Sequence, residues 1–220
     1  MAKHTKVAAL YVQAGGCYFG LYGVEPWDEA RDARLYLGPH PVVAHPPCER
    51  WGAYATGGPA ALGRFEVGDD GGCFAAALSA VRRYGGVLEH PANSKAWSAH
   101  GLAKPPRAGG WVRADDLGGM TCCVEQGAYG HRARKATWLY AVGTNLPELR
   151  WGRAPGDFTR ATPDMSPEER RRELRTGACQ RLSKRQRAAT PLEFRNVLLA
   201  MAISVSAEAI SAPPAEHTTA

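Results

Sequence analysis

A chain of 220 residues, 45% of them hydrophobic, with a mean hydropathy of −0.33, is long enough for one domain with its own core, or for one domain with a small appendage. No run approaches the roughly 20 apolar residues of a membrane span, and the opening Met-Ala-Lys-His-Thr-Lys leads into a strand-like run rather than a signal-peptide core. A cytoplasmic chain with no membrane partner and no obligate protein partner is therefore expected. The net charge of +6 is uneven: between His131 and Arg195 there are 15 Lys/Arg against 7 Asp/Glu, a net +8, and elsewhere 12 against 14, a net −2. A localised basic region suits a polyanion such as nucleic acid.

In chain order, Val7 to Val12 reads as a strand that ends in a glycine turn at Gly15-Gly16. Trp27 to Tyr36, apolar at 27, 30 and 33 with acids in its first turn, predicts a short amphipathic helix. Val42 to Ala44 is a buried strand that runs into His45-Pro46-Pro47-Cys48, where two prolines end ladder pairing. Residues 52 to 72 have loop composition, and Cys73 to Tyr84, apolar at 74, 77, 78, 81 and 84, is a helix stopped by Gly85-Gly86. Gly86 to Pro91 is a second strand, delivering Glu89 and His90. Strand, helix, strand at this spacing is a parallel crossover unit, hence an α/β fold.

Asn93 to His100 predicts a short capped helix and 103 to 119 a loop. Thr121 to Gln126 and Ala136 to Val142 are strands whose short connection favours an antiparallel hairpin. Ser166 with Pro167 and Glu168-Glu169 marks a helix start, Pro191 to Ala207 a final helix, and the Pro/Thr/Ala tail a disordered end. The domain reading is a catalytic core over 1–143, a small basic insert over 144–180, a closing helical segment over 181–207 and a tail over 208–220. The six cysteines show no repeated Cys-x-x-Cys spacing and read as thiols; Cys122 and Cys123, adjacent on a strand, point to opposite faces and cannot share a metal.

In an open α/β sheet, ligands bind at the loops beyond the carboxyl ends of the strands. If the two strands are neighbours, Glu89 and His90 sit beside Cys48. A thiolate is a strong nucleophile toward an electron-poor ring, and a carboxyl group bonded to a ring nitrogen makes that ring more electrophilic. Arg132 and Arg134 would lower the thiol pKa, clamp a phosphate or hold an exocyclic oxygen. This is what attack on carbon 6 of a pyrimidine requires.

With Pro46-Pro47-Cys48, Glu89, and Tyr129-Gly130-His131-Arg132-Ala133-Arg134 in this order, followed by Phe194-Arg-Asn196-Val197, the chain resembles the DNA cytosine carbon-5 methyltransferase family. The resemblance implies a compact methyltransferase-like (Rossmann-like) mixed sheet with an antiparallel hairpin at one edge. It implies Cys48 as nucleophile, Glu89 on ring nitrogen 3, and Arg132 and Arg134 orienting the base, with His90 standing where the family has asparagine. It also implies S-adenosylmethionine held by Gly15, Gly16, Asp28 or Glu29 at the ribose, and Asn196 on the returning segment, with DNA as partner. The chain departs from the family pattern in its opening motif, which lacks an acid and a glycine, and in the 30 positions from Gly16 to Pro46, where the family's cofactor-binding strand and helix are missing or compressed. Its economy would suit a phage or prophage gene. Three alternatives stay open: a catalytically silent DNA- or protein-binding relative, modification of a free pyrimidine nucleotide with another donor, and a metal-dependent hydrolase using His45 and His90.

Overall fold

The structure, a computed structural model, describes residues 6–57, 63–154, 166–168, 171 and 182–205. Its centre is a seven-stranded mixed sheet made of β1 (Val7–Leu10), β2 (Val24–Trp27), β3 (Val42–Ala44), β4 (Gly86–Pro91), β5 (Val112–Arg113), β6 (Met120–Glu125) and β7 (Ala136–Val142), in the order β2-β1-β3-β4-β7-β6-β5. The first four strands run parallel, β7 runs antiparallel to β4, and β6 and β5 follow in antiparallel pairs. The expected α/β class and the hairpin of β6 and β7 are both present.

Interior parallel strands are covered on both faces, so they read as continuous apolar runs rather than alternating ones. Every residue of β1 and β3 is fully buried. Ala8, Leu10, Val42, Ala44, Leu88 and Tyr140 lie beneath α1 (Cys73–Tyr84) and α2 (Lys95–Ala99). Val7, Ala9, Val43, Val87, Leu139 and Ala141 meet α4 (Leu192–Ile203) on the other face. All five apolar positions singled out on α1 are buried. Ser94 caps α2 by accepting from the Ala96 amide at 3.1 Å. Cys122 and Cys123 divide between the two cores, as strand alternation requires.

Gly86 sits where α1 gives way to β4. A Cβ there would come within 2.0 Å of the Val42 carbonyl oxygen, and its φ of 123° is outside the range of other residues. The close approach of β3 to β4 therefore depends on this glycine.

The expected helix over Trp27 to Tyr36 is replaced by β2 and two 3-10 turns, Glu29–Arg31 and Ala33–Leu35. Asp32, at φ 48°, interrupts the helix, and its carboxylate accepts from the Arg34 amide and caps the second turn instead. Short acidic side chains compete in this way with helix propagation. β2 escaped the sequence pattern because it carries Pro26, which an edge strand tolerates. Residues 167–168 and 171 are helical; most of the 144–180 insert and the whole tail beyond 205 lie outside the described residues.

A third short helix, α3 (Lys184–Ala188), is closed by a capping box between Ser183 and Gln186. No helix among the described residues is long and apolar enough to cross a membrane.

Candidate active site

The register Ala44↔Leu88 between β3 and β4 sets His45 beside Glu89 one step further along. Both side chains fall on the α4 face, where His45 Nδ1–H donates to Glu89 Oε2 at 2.9 Å. Behind His45, its Nε2 lies 2.8 Å from the hydroxyl of Tyr18, which comes from the loop after β1. On the other side Gln126, at the end of β6, donates from Nε2 to Glu89 Oε1 at 3.0 Å and to Thr137 Oγ1 at 3.0 Å. Three parallel strand ends and the hairpin thus converge on one carboxylate.

Glu89 is 7% exposed. Burial by itself would raise its carboxyl group, but the His45 hydrogen bond and the charges of Lys135, His45 and His90 outweigh that and hold it at about 2. Tyr18 is pushed well above its ordinary range, first by burial and then by Cys17 and Glu89, so its hydroxyl stays protonated. Cys48 follows the prolines on the exposed Pro47-Cys48-Glu49 stretch of the loop. Desolvation by the surrounding loop raises its thiol, and the carboxylates of Glu89 and Glu49 raise it further. The expectation that Cys48 and Glu89 share one sheet end is met; the thiol that arginines were expected to depress is instead raised overall. Lys135 opposes that rise only weakly and helps to hold Glu89 low. It is fixed by donating from Nζ to the carbonyls of Ala188 and Ala189, at 3.1 and 2.9 Å, at the end of α3.

The hairpin connection is held by His131, whose Nδ1 accepts from the Ala133 amide at 3.0 Å and whose Nε2 meets the Gln186 carbonyl at 3.1 Å. Arg132 is exposed on this loop, beside a groove of about 190 Å³ that it shares with Gly130, Leu182, Gln186 and Pro191. Arg134 is half-buried, with its Nε enclosed and without a hydrogen-bond partner.

His90 departs from its expected place. Adjacent strand residues point to opposite faces, and His90 turns to the α1 side, 1% exposed, with its ring 5.2 Å from Phe74 and 6.2 Å from Trp97. Neither ring nitrogen makes a hydrogen bond. Burial, opposed by Glu89 and the nearby Pro47 carbonyl, lowers its pKa to about 4, so the ring is neutral. It supports the Pro-Pro-Cys loop from beneath rather than facing Glu89. His45 and His90 cannot jointly ligate a metal from opposite faces, and no cluster of three metal-ligating side chains occurs among the described residues.

At the outer parallel strands, Leu10↔Trp27 register brings the end of β2 beside the end of β1. Asp28 and Glu29 begin the first 3-10 turn there; the Val12 amide after β1 donates to the Trp27 carbonyl at 3.2 Å, and in the following glycine turn the Gly16 amide donates to the Gln13 carbonyl at 2.9 Å. Tyr11 Oη and Trp27 Nε1, on the residues ending these two strands, are enclosed without partners. Asn196 is exposed, and its Oδ1 is taken by Arg195 at 2.8 and 3.0 Å; Arg195 also donates to the Cys17 carbonyl at 2.7 Å. The closing helix therefore reaches the glycine-turn loop through Arg195.

Sequence reasoning did not assign Tyr18, Gln126 or Lys135 to the site, and it left His45 as a turn residue, a metal ligand or a proton carrier. Comparison of the chain with protein-family models, with curated proteins and with solved structures finds no match.

Proposed function

We propose that this chain modifies carbon 5 of a pyrimidine in DNA, cytosine by default, through a covalent adduct between Cys48 and ring carbon 6. The observation that carries the reading is the parallel pairing of β3 with β4, which sets the Pro-Pro-Cys loop beside a buried carboxylate whose charge acts on the Cys48 thiol. In the proposed step the Cys48 sulfur, having lost its proton to solvent, bonds to carbon 6. The displaced electron pair is taken up by the ring as nitrogen 3 is protonated through Glu89, and carbon 5 becomes nucleophilic. Carbon 5 would then bond to the donor's electrophilic group, whose leaving group departs with the bonding pair; loss of the carbon-5 proton to solvent, return of the nitrogen-3 proton through Glu89 and expulsion of the sulfur would then restore the ring. The target base must be flipped out of the duplex or presented in a single strand.

The strand ends suit S-adenosylmethionine as donor. The ends of β1 and β2 are adjacent, with the Val12 amide donating to the Trp27 carbonyl at 3.2 Å, so the acids that follow β2 and the glycine turn that follows β1 leave from neighbouring strand ends. Asp28 or Glu29 would meet the ribose, with Gly15 and Gly16 allowing close approach. When bound, the cofactor supplies an electrophilic methyl group.

One observation favours a second reading, a catalytically silent relative that only binds DNA: the Cys48 thiol is raised rather than activated in the free chain. The deciding experiment is intact-mass analysis after incubation with an oligonucleotide carrying 5-fluorocytosine or 5-fluorouracil, with and without S-adenosylmethionine. A covalent adduct on wild type, absent from Cys48→Ala and lost or strongly slowed in Glu89→Gln, is expected. Dependence on the cofactor supports methyl transfer, an adduct without it redirects the search to another donor, and an adduct with the free fluoronucleotide alone points to a nucleotide substrate. DNA binding with no adduct under any condition overturns the enzymatic reading.

A further inference from the structure

Resting on that reading, we propose that the groove beside Arg132 seats the nucleobase next to the target base, so that the substrate is single-stranded DNA. The groove, about 190 Å³, runs between the hairpin connection at Gly130 to Arg132 and the chain flanking α3, from Leu182 to Pro191. One wall is tied to the carboxylate of the site. The His131 amide donates to the Gln126 carbonyl at 3.1 Å, and the Gln126 side chain donates to Glu89 at 3.0 Å. On the other wall the Ala189 carbonyl accepts from Lys135 Nζ at 2.9 Å, and the charge of Lys135 reaches both Cys48 and Glu89. The groove therefore adjoins the place where a base attacked by Cys48 must sit.

Its lining is mostly apolar. Leu182, Ala189 and Pro191 present carbon, and both ring nitrogens of His131 are engaged, Nδ1 with the Ala133 amide at 3.0 Å and Nε2 with the Gln186 carbonyl at 3.1 Å, so that this ring also offers carbon. The rim is basic: Arg132 is exposed on the hairpin side, and Arg185 and Arg187 are exposed on α3. Among the described residues no acidic side chain lines the groove. An apolar slot with a cationic rim matches a base, whose face is apolar, carried on an anionic backbone. A second copy of a chain with net charge +6 would instead bring like charge to this rim.

Strandedness follows from the number of bases that must be unpaired. The target base has to leave the stack to reach Cys48, and a neighbour seated in the groove has to leave it too. Each extraction from a duplex costs unpairing and unstacking that a single strand does not require. Contacts to the face of a base tolerate any sequence, because every base has such a face. The groove therefore selects single strands and not a particular neighbour.

The test is fluorescence anisotropy on labelled oligonucleotides with one cytosine, as single strand and as duplex, and with an abasic sugar placed in turn at each position flanking that cytosine, for wild type and Ala189→Leu. Ala189 is exposed, with φ −53° and ψ 140°, so leucine suits its backbone and fills the groove. Wild type should bind the single strand at least tenfold more tightly than the duplex, and an abasic sugar at one flanking position should weaken binding about tenfold. Ala189→Leu should lose about tenfold on the intact strand and become insensitive to the abasic sugar at that position. Three results each overturn the inference: duplex bound as tightly as single strand, losses from the variant and the abasic sugar that simply add, or unchanged affinity of Ala189→Leu. In the last case a lowered Tm assigns the groove to the chain itself, and loss of a dimer in size-exclusion chromatography assigns it to a second copy. The expected anisotropy with no adduct on wild type overturns the Cys48 reading alone, and no DNA binding overturns both.

Discussion

Replacing His90 separates a support role from a catalytic one, because the two predict opposite results. His90 is 1% exposed, makes no hydrogen bond through either ring nitrogen, and has its pKa lowered from 6.5 to about 4. Above pH 6.5 the ring is neutral in both folded and unfolded chains and contributes nothing to pH dependence. As pH falls below 6.5 the unfolded chain binds a proton that the folded chain refuses until about pH 4, so stability is lost across this window. With about 1.4 kcal/mol per pKa unit, the loss is about 2 kcal/mol at pH 5 and approaches about 3 kcal/mol near pH 4. His90→Leu, similar in volume and without a buried polar atom to satisfy, should be close to wild type at pH 7.5 and gain about 2 kcal/mol relative to it at pH 5. Urea unfolding followed by tryptophan fluorescence at pH 7.5, 6 and 5 measures this, and the adduct assay on the same variant measures chemistry. A stability difference that does not change with pH, or loss of adduct formation in a well-folded His90→Leu, would refute the reasoning.

Gly86→Ala places a methyl group 2.0 Å from the Val42 carbonyl oxygen and 2.6 Å from its nitrogen, both backbone atoms that no rotamer change can clear. The β3–β4 pairing must shift, with an expected cost of about 3 kcal/mol or more, a fall in Tm of roughly 6–12 °C for a chain of this size; an unchanged thermal transition would count against the close approach. On the exposed side of α3, Arg185→Glu with Arg187→Glu should weaken DNA binding without regard to sequence and reduce the slope of log affinity against log salt by about 2. A slope unchanged in fluorescence anisotropy titrations would remove this helix from the DNA contact.

The elements written in strong periodicity were readable in the chain alone. α1 carries its apolar residues at helical spacing and is closed by Gly85-Gly86. β3 is an apolar run cut by two prolines, and β6 and β7 flank a connection too short for a crossover. The opposite facing of Cys122 and Cys123 followed from alternation, and the same rule applied to Glu89 and His90 separates them; placing both beside Cys48 overlooked a signal that was present. β2 was hidden by Pro26, and the helix expected after it failed because Asp32 prefers to cap a turn.

What the sequence determined by itself is therefore local: which segments are strands or helices, and that a thiol and a carboxylate each stand at the end of an apolar strand. Which side chains meet there was decided by tertiary structure. The pairing of β3 with β4 puts His45 opposite Glu89, the return of the loop after β1 brings Tyr18 to within 2.8 Å of His45, and the hairpin adds Gln126 and Lys135. These residues lie far apart in the chain, and no periodic pattern carries information about a contact whose partners are joined only through sheet register and loop closure.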